Sequence, residues 1–158
     1  MPDPASSAHV VPPDARQRRR SRAGAYVLAE ASGGAPRTIL LATGSEVHIA
    51  LRAWQALEGR GVSTRLVSMP CVEWFREQDQ AYRDAVLPPE VTARVSVEAG
   101  VGATWHEWVG QGGATVSLEH FGASAPHEVL YERFGLTAER VVEVALELLA
   151  AQDPREGS

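Results

Sequence analysis

Short β-forming runs alternate with amphipathic helical stretches from about residue 25 onward, and this alternation restricts the fold more than any other feature of the sequence. The apolar run Thr38–Thr43 stops at Gly44 and predicts a buried strand. The following helix is predicted to have Ser45 as its N-cap and to end at Gly59. Strands separated by helices predict an α/β fold with a mostly parallel sheet, covered on both faces.

The rest of the chain continues this alternation. Further strands are predicted at Ser63–Met69, Ala93–Val97 and Ala114–Leu118. Further helices are predicted at Glu73–Val86 with a break near Gln78, at Trp105–Val109, from Pro126, and from an N-cap at Thr137. We therefore expect a three-layer domain.

The 158 residues suit one domain with terminal extensions. We expect a disordered leader over 1–23, a folded domain over 24–151 and a flexible tail over 152–158. The leader is rich in proline and serine, and five of its residues between 16 and 22 are arginine. Its arginines suit either a basic arm that docks on an acidic partner or nucleic acid, or a solvated leader; the second interpretation is favoured.

Charge and cysteine content exclude several classes of protein. The net charge is −5, which makes nucleic-acid binding by the whole domain a poor interpretation. All fifteen basic residues are arginine, which excludes lysine-based Schiff-base chemistry. The single cysteine cannot form an internal disulfide. No apolar run approaches the length of a membrane span. We expect a soluble, unexported and cytoplasmic protein.

No motif for self-contained chemistry stands out. The turn at Gly44 has one glycine where a dinucleotide fingerprint has three, and Glu46 would compete with a bound phosphate. The five histidines do not have metal-ligand spacing. Cys71 suits a small apolar residue better than an activated thiolate. The sequence therefore predicts no catalytic, cofactor-binding or metal-binding residue in this chain.

Two surfaces remain as candidates for binding. Open α/β sheets bind ligands at the carboxyl ends of their strands. A ligand rim is accordingly predicted there, near Pro70 and Cys71, from four residues: Gly44, Ser45, Glu98 and Gly100. Trp105 and Trp108 lie among glycines, and they suit either partner-interface anchors or core residues.

Several longer segments resemble, in order, the C-terminal domain of transketolases. They are ATGSEV (42–47), VSMPCVEWFREQ (67–78), YRDAVLPP (82–89), RVSVEAG (94–100), the W-x-x-W-V-G pattern (105–110) and FGASAPHEVLYERFGLTAE (121–139). The last two are the most specific. The resemblance runs from Gly24 to Leu149, about four-fifths of the chain.

The resemblance implies a five-stranded mixed sheet with helices on both faces. It also implies that a complete enzyme would transfer a two-carbon ketol unit between sugar phosphates, with thiamine diphosphate and a divalent metal (Mg or Ca). The G-D-G motif that holds this cofactor in the family does not occur in the sequence. The resemblance therefore assigns this chain neither a catalytic residue nor a bound cofactor.

Three hypotheses follow. The chain can be a subunit of a split transketolase, whose partner is a cofactor-binding N-terminal subunit, in a dimeric assembly. The initiating Met and the leader motivate this hypothesis. Alternatively, the chain is a truncated inactive fragment, or a stand-alone module that binds a small ligand and regulates another protein.

Overall fold

The alternating pattern produces five strands and five helices in the part of the chain that the structure describes. The structure is a computed structural model, which describes residues 22–98, 105–117 and 136–152. The strands are β1 (Tyr26–Ala29), β2 (Thr38–Ala42), β3 (Thr64–Ser68), β4 (Arg94–Glu98) and β5 (Ala114–Ser117). The helices are α1 (Val47–Gly59), α2 (Val72–Arg76), α3 (Gln80–Val86), α4 (His106–Val109) and α5 (Ala138–Gln152).

The strands form one mixed sheet in the order β1-β3-β2-β4-β5. Only β1 is antiparallel to its neighbour, with Tyr26 opposite Ser68. The central pair β2 and β3 is parallel and in register from Thr38 opposite Thr64 to Ala42 opposite Ser68. All five residues of β2 are buried, because a central parallel strand is covered on both of its faces. The five-stranded mixed sheet implied by the resemblance is confirmed.

Successive side chains of the strands point to opposite faces, and each face has its own apolar cluster. The first, here called the aliphatic face, lies under α1 and α5 and includes Leu40, Leu57, Leu66, Val95, Val97 and Val141. The second, here called the aromatic face, lies under α2, α3 and α4 and includes Ile39, Leu41, Val67, Phe75, Trp105 and Trp108. The sheet is thus the middle of three layers.

The entry into α1 differs from the prediction. Ser45 lies within a 3-10 turn, Gly44–Glu46, and the N-cap of α1 is Glu46, without a side-chain capping bond. The turn starts with Gly44 at a φ of 58°, a conformation that glycine adopts without strain. At α5 the predicted cap is present, because Thr137 Oγ1 accepts a hydrogen bond from the Arg140 N–H at 3.2 Å.

Other element predictions agree to within a few residues. The break between α2 and α3 falls at residues 77–79, where Asp79 caps α3 by accepting from the Tyr82 N–H. The predicted apolar stripe of α1 included Leu51, which is 36% exposed, whereas Ile49 and Ala53 are buried. Strand β1 was not assigned from the pattern. The leader up to residue 21, the helix from Pro126 and the tail after Gln152 lie outside the described residues.

Candidate functional site at the carboxyl ends of the strands

The carboxyl ends of the parallel strands surround a cavity of about 560 Å³. Three strands reach it: β2 through Thr43, β3 through Met69 and Pro70, and β4 through Glu98. Helix α2 and the start of α4 complete the wall, with polar side chains at Cys71, Glu73, Arg76 and Glu107. The cavity forms here because the chain leaves the sheet after β2 into the 3-10 turn and after β3 into α2.

The charges at the cavity are dominated by carboxylates. Arg76 donates two hydrogen bonds to Glu107, from Nε to Oε1 at 3.1 Å and from Nη2 to Oε2 at 2.6 Å. This bond and the guanidinium charge hold the pKa of Glu107 below its usual value, and the same bond raises the pKa of Arg76. The Arg76 guanidinium also lies 5.9 Å from the Trp108 ring centroid, a cation–π distance. Its charge is therefore already engaged.

The remaining polar groups of the cavity are tied to their neighbours. The indole N–H of Trp105 donates to Glu98 Oε2 at 3.1 Å, which joins the end of β4 to the start of α4. The Cys71 thiol lies 3.5 Å from Glu73 Oε2, within the range of a weak S–H donor.

This arrangement does not suit the diphosphate of thiamine diphosphate. Three carboxylates, those of Glu73, Glu98 and Glu107, line the cavity beside a single guanidinium that is already paired. A diphosphate needs backbone N–H groups or unpaired cations. Over the described ranges, no group of three histidine, cysteine or acidic side chains could hold a metal ion. We therefore derive no cofactor chemistry from these residues.

The predicted ligand rim is partly assembled at this cavity. Glu98 lines it, and exposed Gly44 follows Thr43 at its edge. Ser45 lies in the adjoining 3-10 turn, and Gly100 lies outside the described residues. Pro70 and Cys71, which were named as neighbours of the rim, both line the cavity. The rim as a ligand site stays a prediction.

Trp105 and Trp108, for which a partner interface and a core position were the two alternatives, are both buried. Trp105 is 2% exposed and Trp108 is 6% exposed. The Trp108 ring centroid lies 5.0 Å from that of Phe75, so the indole stacks on the aromatic face. They leave a partner almost no surface to contact. Trp74 is the tryptophan at the surface, with 51% of its area exposed. It directly precedes the buried Phe75 on α2, and this position was the available signal that its side chain faces solvent.

A second cavity, of about 710 Å³, lies between α1 and α5 on the other side of the sheet. One wall carries His48, Arg52 and Arg60, which follow one another at helical spacing along α1. The opposite wall carries Glu139 and Glu143, and Leu136 lies at one end. His48 is exposed, as its position beside the apolar stripe predicted. Leu136 follows directly after residues outside the described part. The described residues therefore do not define the full boundary of this cavity as a site.

The chain thus folds as a three-layer α/β domain whose mixed sheet has one antiparallel edge strand. A family model for the transketolase-like TK C-terminal domain matches residues 24–137. The chain belongs to this family. It is 52% identical to the transketolase of Mycobacterium tuberculosis (strain H37Rv) over 126 residues, which are 77% of this chain and 18% of that protein.

Solved structures agree with this assignment. The transketolase from Leishmania mexicana has a TM-score of 0.77 and 42% identity, over 84% of this chain and 19% of that chain. A split-gene transketolase, described as an inactive β4 tetramer, has a TM-score of 0.63 and 23% identity, over 82% of this chain and 43% of that chain. At this identity the likeness concerns the fold alone. The chain thus spans about one-fifth of the length of the full transketolases it matches.

No helix among the described residues is long and apolar enough to cross a membrane.

Proposed function

We propose that this chain is the C-terminal subunit of a split transketolase and supports the assembly of an enzyme whose cofactor-binding domains lie on another polypeptide. One observation carries the proposal: the transketolase-like C-terminal domain matches residues 24–137, and a split-gene transketolase shares the fold of this domain. In a complete transketolase, thiamine diphosphate and a divalent metal support transfer of a two-carbon ketol unit from a ketose phosphate to an aldose phosphate. The carboxylate-rich cavity described above does not suit that cofactor.

The split-gene transketolase that shares the fold is a precedent for such a division. In the proposed assembly this chain has a structural role, because the polar side chains that join its strand ends are engaged with one another. The Arg76–Glu107 pair and the Trp105–Glu98 bond hold the strand ends in place. A cytoplasmic location and a dimeric assembly are parts of the same proposal.

The test begins with the neighbouring DNA. An adjacent open reading frame that encodes the G-D-G motif supplies the second polypeptide, and both chains are expressed separately and together. We expect co-purification, and ketol transfer in the presence of magnesium and thiamine diphosphate only when both chains are present. Undiminished transfer by the second polypeptide without this chain would contradict the subunit role. Failure of the chains to associate would favour the truncated fragment.

The rim cavity favours one further function, the binding of a small ligand by the isolated domain. Its three carboxylates favour a cationic or neutral polyhydroxylated ligand over a sugar phosphate or nucleotide. A ligand at 100 times its dissociation constant should stabilise the protein by about 2.7 kcal/mol, which thermal unfolding detects. Glu98→Gln should reduce that stabilisation, whereas the matched control Glu90→Gln, an exposed residue before β4, should not. Equal stabilisation of both variants would exclude the rim as the site.

A further inference from the structure

An acidic surface with an exposed indole lies along α2 and the residue after it. We call this surface, formed by Glu73, Trp74 and Glu77, the α2 ridge. Both glutamates are exposed, and they lie one helical turn apart, as the bond from the Glu77 N–H to the Glu73 carbonyl at 3.3 Å shows. The Trp74 indole next to them is 51% exposed, more than any other large apolar residue in the described part.

The chain enters the domain beside this ridge. Gly24 packs directly on α2, because a Cβ at this position would lie 2.2 Å from the Phe75 nitrogen and 2.3 Å from the Cys71 carbonyl oxygen. Its own carbonyl accepts the Cys71 N–H at 3.0 Å. Since Phe75 follows Trp74, the backbone before Gly24 starts within a few ångströms of the ridge. Arg22, two residues earlier, is exposed.

The positive charge of the α2 helix is shared between the ridge and Glu107. Arg76 makes two hydrogen bonds to Glu107, lies over the ring of Trp108 and also interacts electrostatically with Glu73. The Glu73 carboxylate accepts a weak hydrogen bond from the Cys71 thiol at 3.5 Å. The ridge therefore offers carboxylates and an indole face, the two groups that bind a guanidinium through charge-assisted hydrogen bonds and through stacking.

We propose that the arginine run of this chain, Arg16 to Arg22, docks on the α2 ridge and covers Trp74. Five of the fifteen basic residues lie in this run, which leaves ten basic against twenty acidic residues in the rest of the chain. The charges of the two parts are thus complementary.

The distances permit this contact within one molecule. An extended chain spans roughly 3.3–3.6 Å per residue, so Arg18, six residues before Gly24, can reach about 20 Å from the anchor. The ridge extends over only about 8 Å, the rise of five residues of α-helix. A short tether also keeps the arm at an effective concentration in the millimolar range, which allows weak exposed contacts to be populated.

Limited trypsin digestion of the full chain tests the proposal, because trypsin cleaves after the arginines of the run. Release of the N-terminal peptides is followed by mass spectrometry, and a synthetic peptide of residues 12–24 gives the rate for an undocked arm. We expect cleavage in the protein to be about five-fold slower than in the peptide, as a few exposed ion-pair and cation–π contacts would produce. The variants Glu73→Gln/Glu77→Gln and Trp74→Ala should each accelerate it.

The matched control is Glu143→Gln/Glu147→Gln, which removes two exposed carboxylates at the same spacing from α5, on the opposite side of the sheet. This variant should be cleaved like the unmodified protein. Equal rates in the peptide, the protein and the ridge variants would overturn the proposal. Protection that grows with protein concentration would also overturn it, because the arm would then lie on a second copy. Circular dichroism confirms that each variant is folded before digestion.

Discussion

The two faces of the sheet are covered by helices of different length and are held by different interactions. On the aliphatic face, α1 and α5 contain 13 and 15 residues and cover the strands with a broad apolar cluster. Two polar contacts also join α1 to β3: the Trp54 indole N–H donates to the Thr64 carbonyl at 2.7 Å, and the Glu58 carboxylate accepts from the Thr64 N–H at 2.8 Å. On the aromatic face, α2, α3 and α4 contain 5, 7 and 4 residues. Helices this short gain little from their own backbone bonds, so their position depends on tertiary contacts.

Polar side chains supply many of those contacts on the aromatic face. Arg94 donates to the carbonyls of Leu87, Pro88, Val91 and Trp108, at 2.7–3.2 Å. The Tyr82 hydroxyl donates to the Ala25 carbonyl at 2.7 Å. Arg65 joins the carbonyls of Ala85 and Val86 to the carboxylate of Glu30. The difference is one of degree: the long amphipathic helices bury a larger apolar area, whereas the short ones depend more on directed hydrogen bonds.

The largest effect is expected from removing the aromatic centre of the second face. Phe75 is fully buried between Trp108 and Tyr82, with ring centroids at 5.0 and 6.1 Å. Phe75→Ala should lower the free energy of unfolding by about 4 kcal/mol, and Leu57→Ala on the aliphatic face by about 3 kcal/mol. Urea unfolding measures both. A much smaller loss for Phe75→Ala would show that apolar packing matters little under the short helices.

A somewhat smaller effect is expected from the polar contacts of the same face. Arg94→Met keeps the aliphatic stem but removes the guanidinium donor from four carbonyls, of which Pro88 keeps the Val91 N–H, and it should cost about 3 kcal/mol. Burial lowers the pKa of Arg94, although the charges of Asp84 and Glu90 oppose this, so its charge already carries a desolvation cost. The control Arg52→Met, an exposed residue of α1, should change stability by less than about 0.5 kcal/mol. Equal losses would contradict the distinction between the faces.

The same distinction explains what the sequence could predict. Helix α1 and strands β2 to β5 carry a clear hydrophobic period, so their positions followed from the residues alone. The order of the strands and the antiparallel pairing of β1 depend on contacts between residues far apart in the chain. The four-residue run of β1 is half-buried throughout, which gives little periodic signal. These features came from the resemblance or were missed.

The candidate site was predictable only to the level of the sheet edge. The end of each parallel strand indicated where a cavity would form, and Glu98 and Pro70 lie there. The core positions of Trp105 and Trp108 were not predictable, because their spacing suits an interface as well as a core. Nor could spacing show that Arg76 pairs with Glu107, 31 residues later. Local patterns locate elements, while the pairing of charges requires the assembled fold.

The smallest effect is a dependence of stability on pH that arises from the Arg65–Glu30 contact. Partial burial alone would raise the pKa of Glu30, but hydrogen bonds from Arg65 and the Ala31 N–H, with the Arg65 charge, outweigh it and lower the pKa. Because the pKa of Glu30 is lower in the folded state than in the unfolded state, the stabilisation by the Arg65–Glu30 contact is complete above the unfolded-state pKa, near 4.5. It is lost as pH falls through the folded-state pKa.

Glu30→Gln isolates this contribution. Because the Glu30 side chain is 48% exposed, solvent screens the pair, and the variant should be less stable at pH 7 by less than about 1 kcal/mol. The difference between the two proteins should shrink when unfolding is repeated between pH 5 and pH 3, since protonated Glu30 no longer pairs with Arg65. Glu139→Gln, at an exposed carboxylate of α5, should show no such trend. A difference that stays constant with pH would mean that Arg65 holds the aromatic face through the Ala85 and Val86 carbonyls alone, and that the charge of Glu30 adds nothing to it.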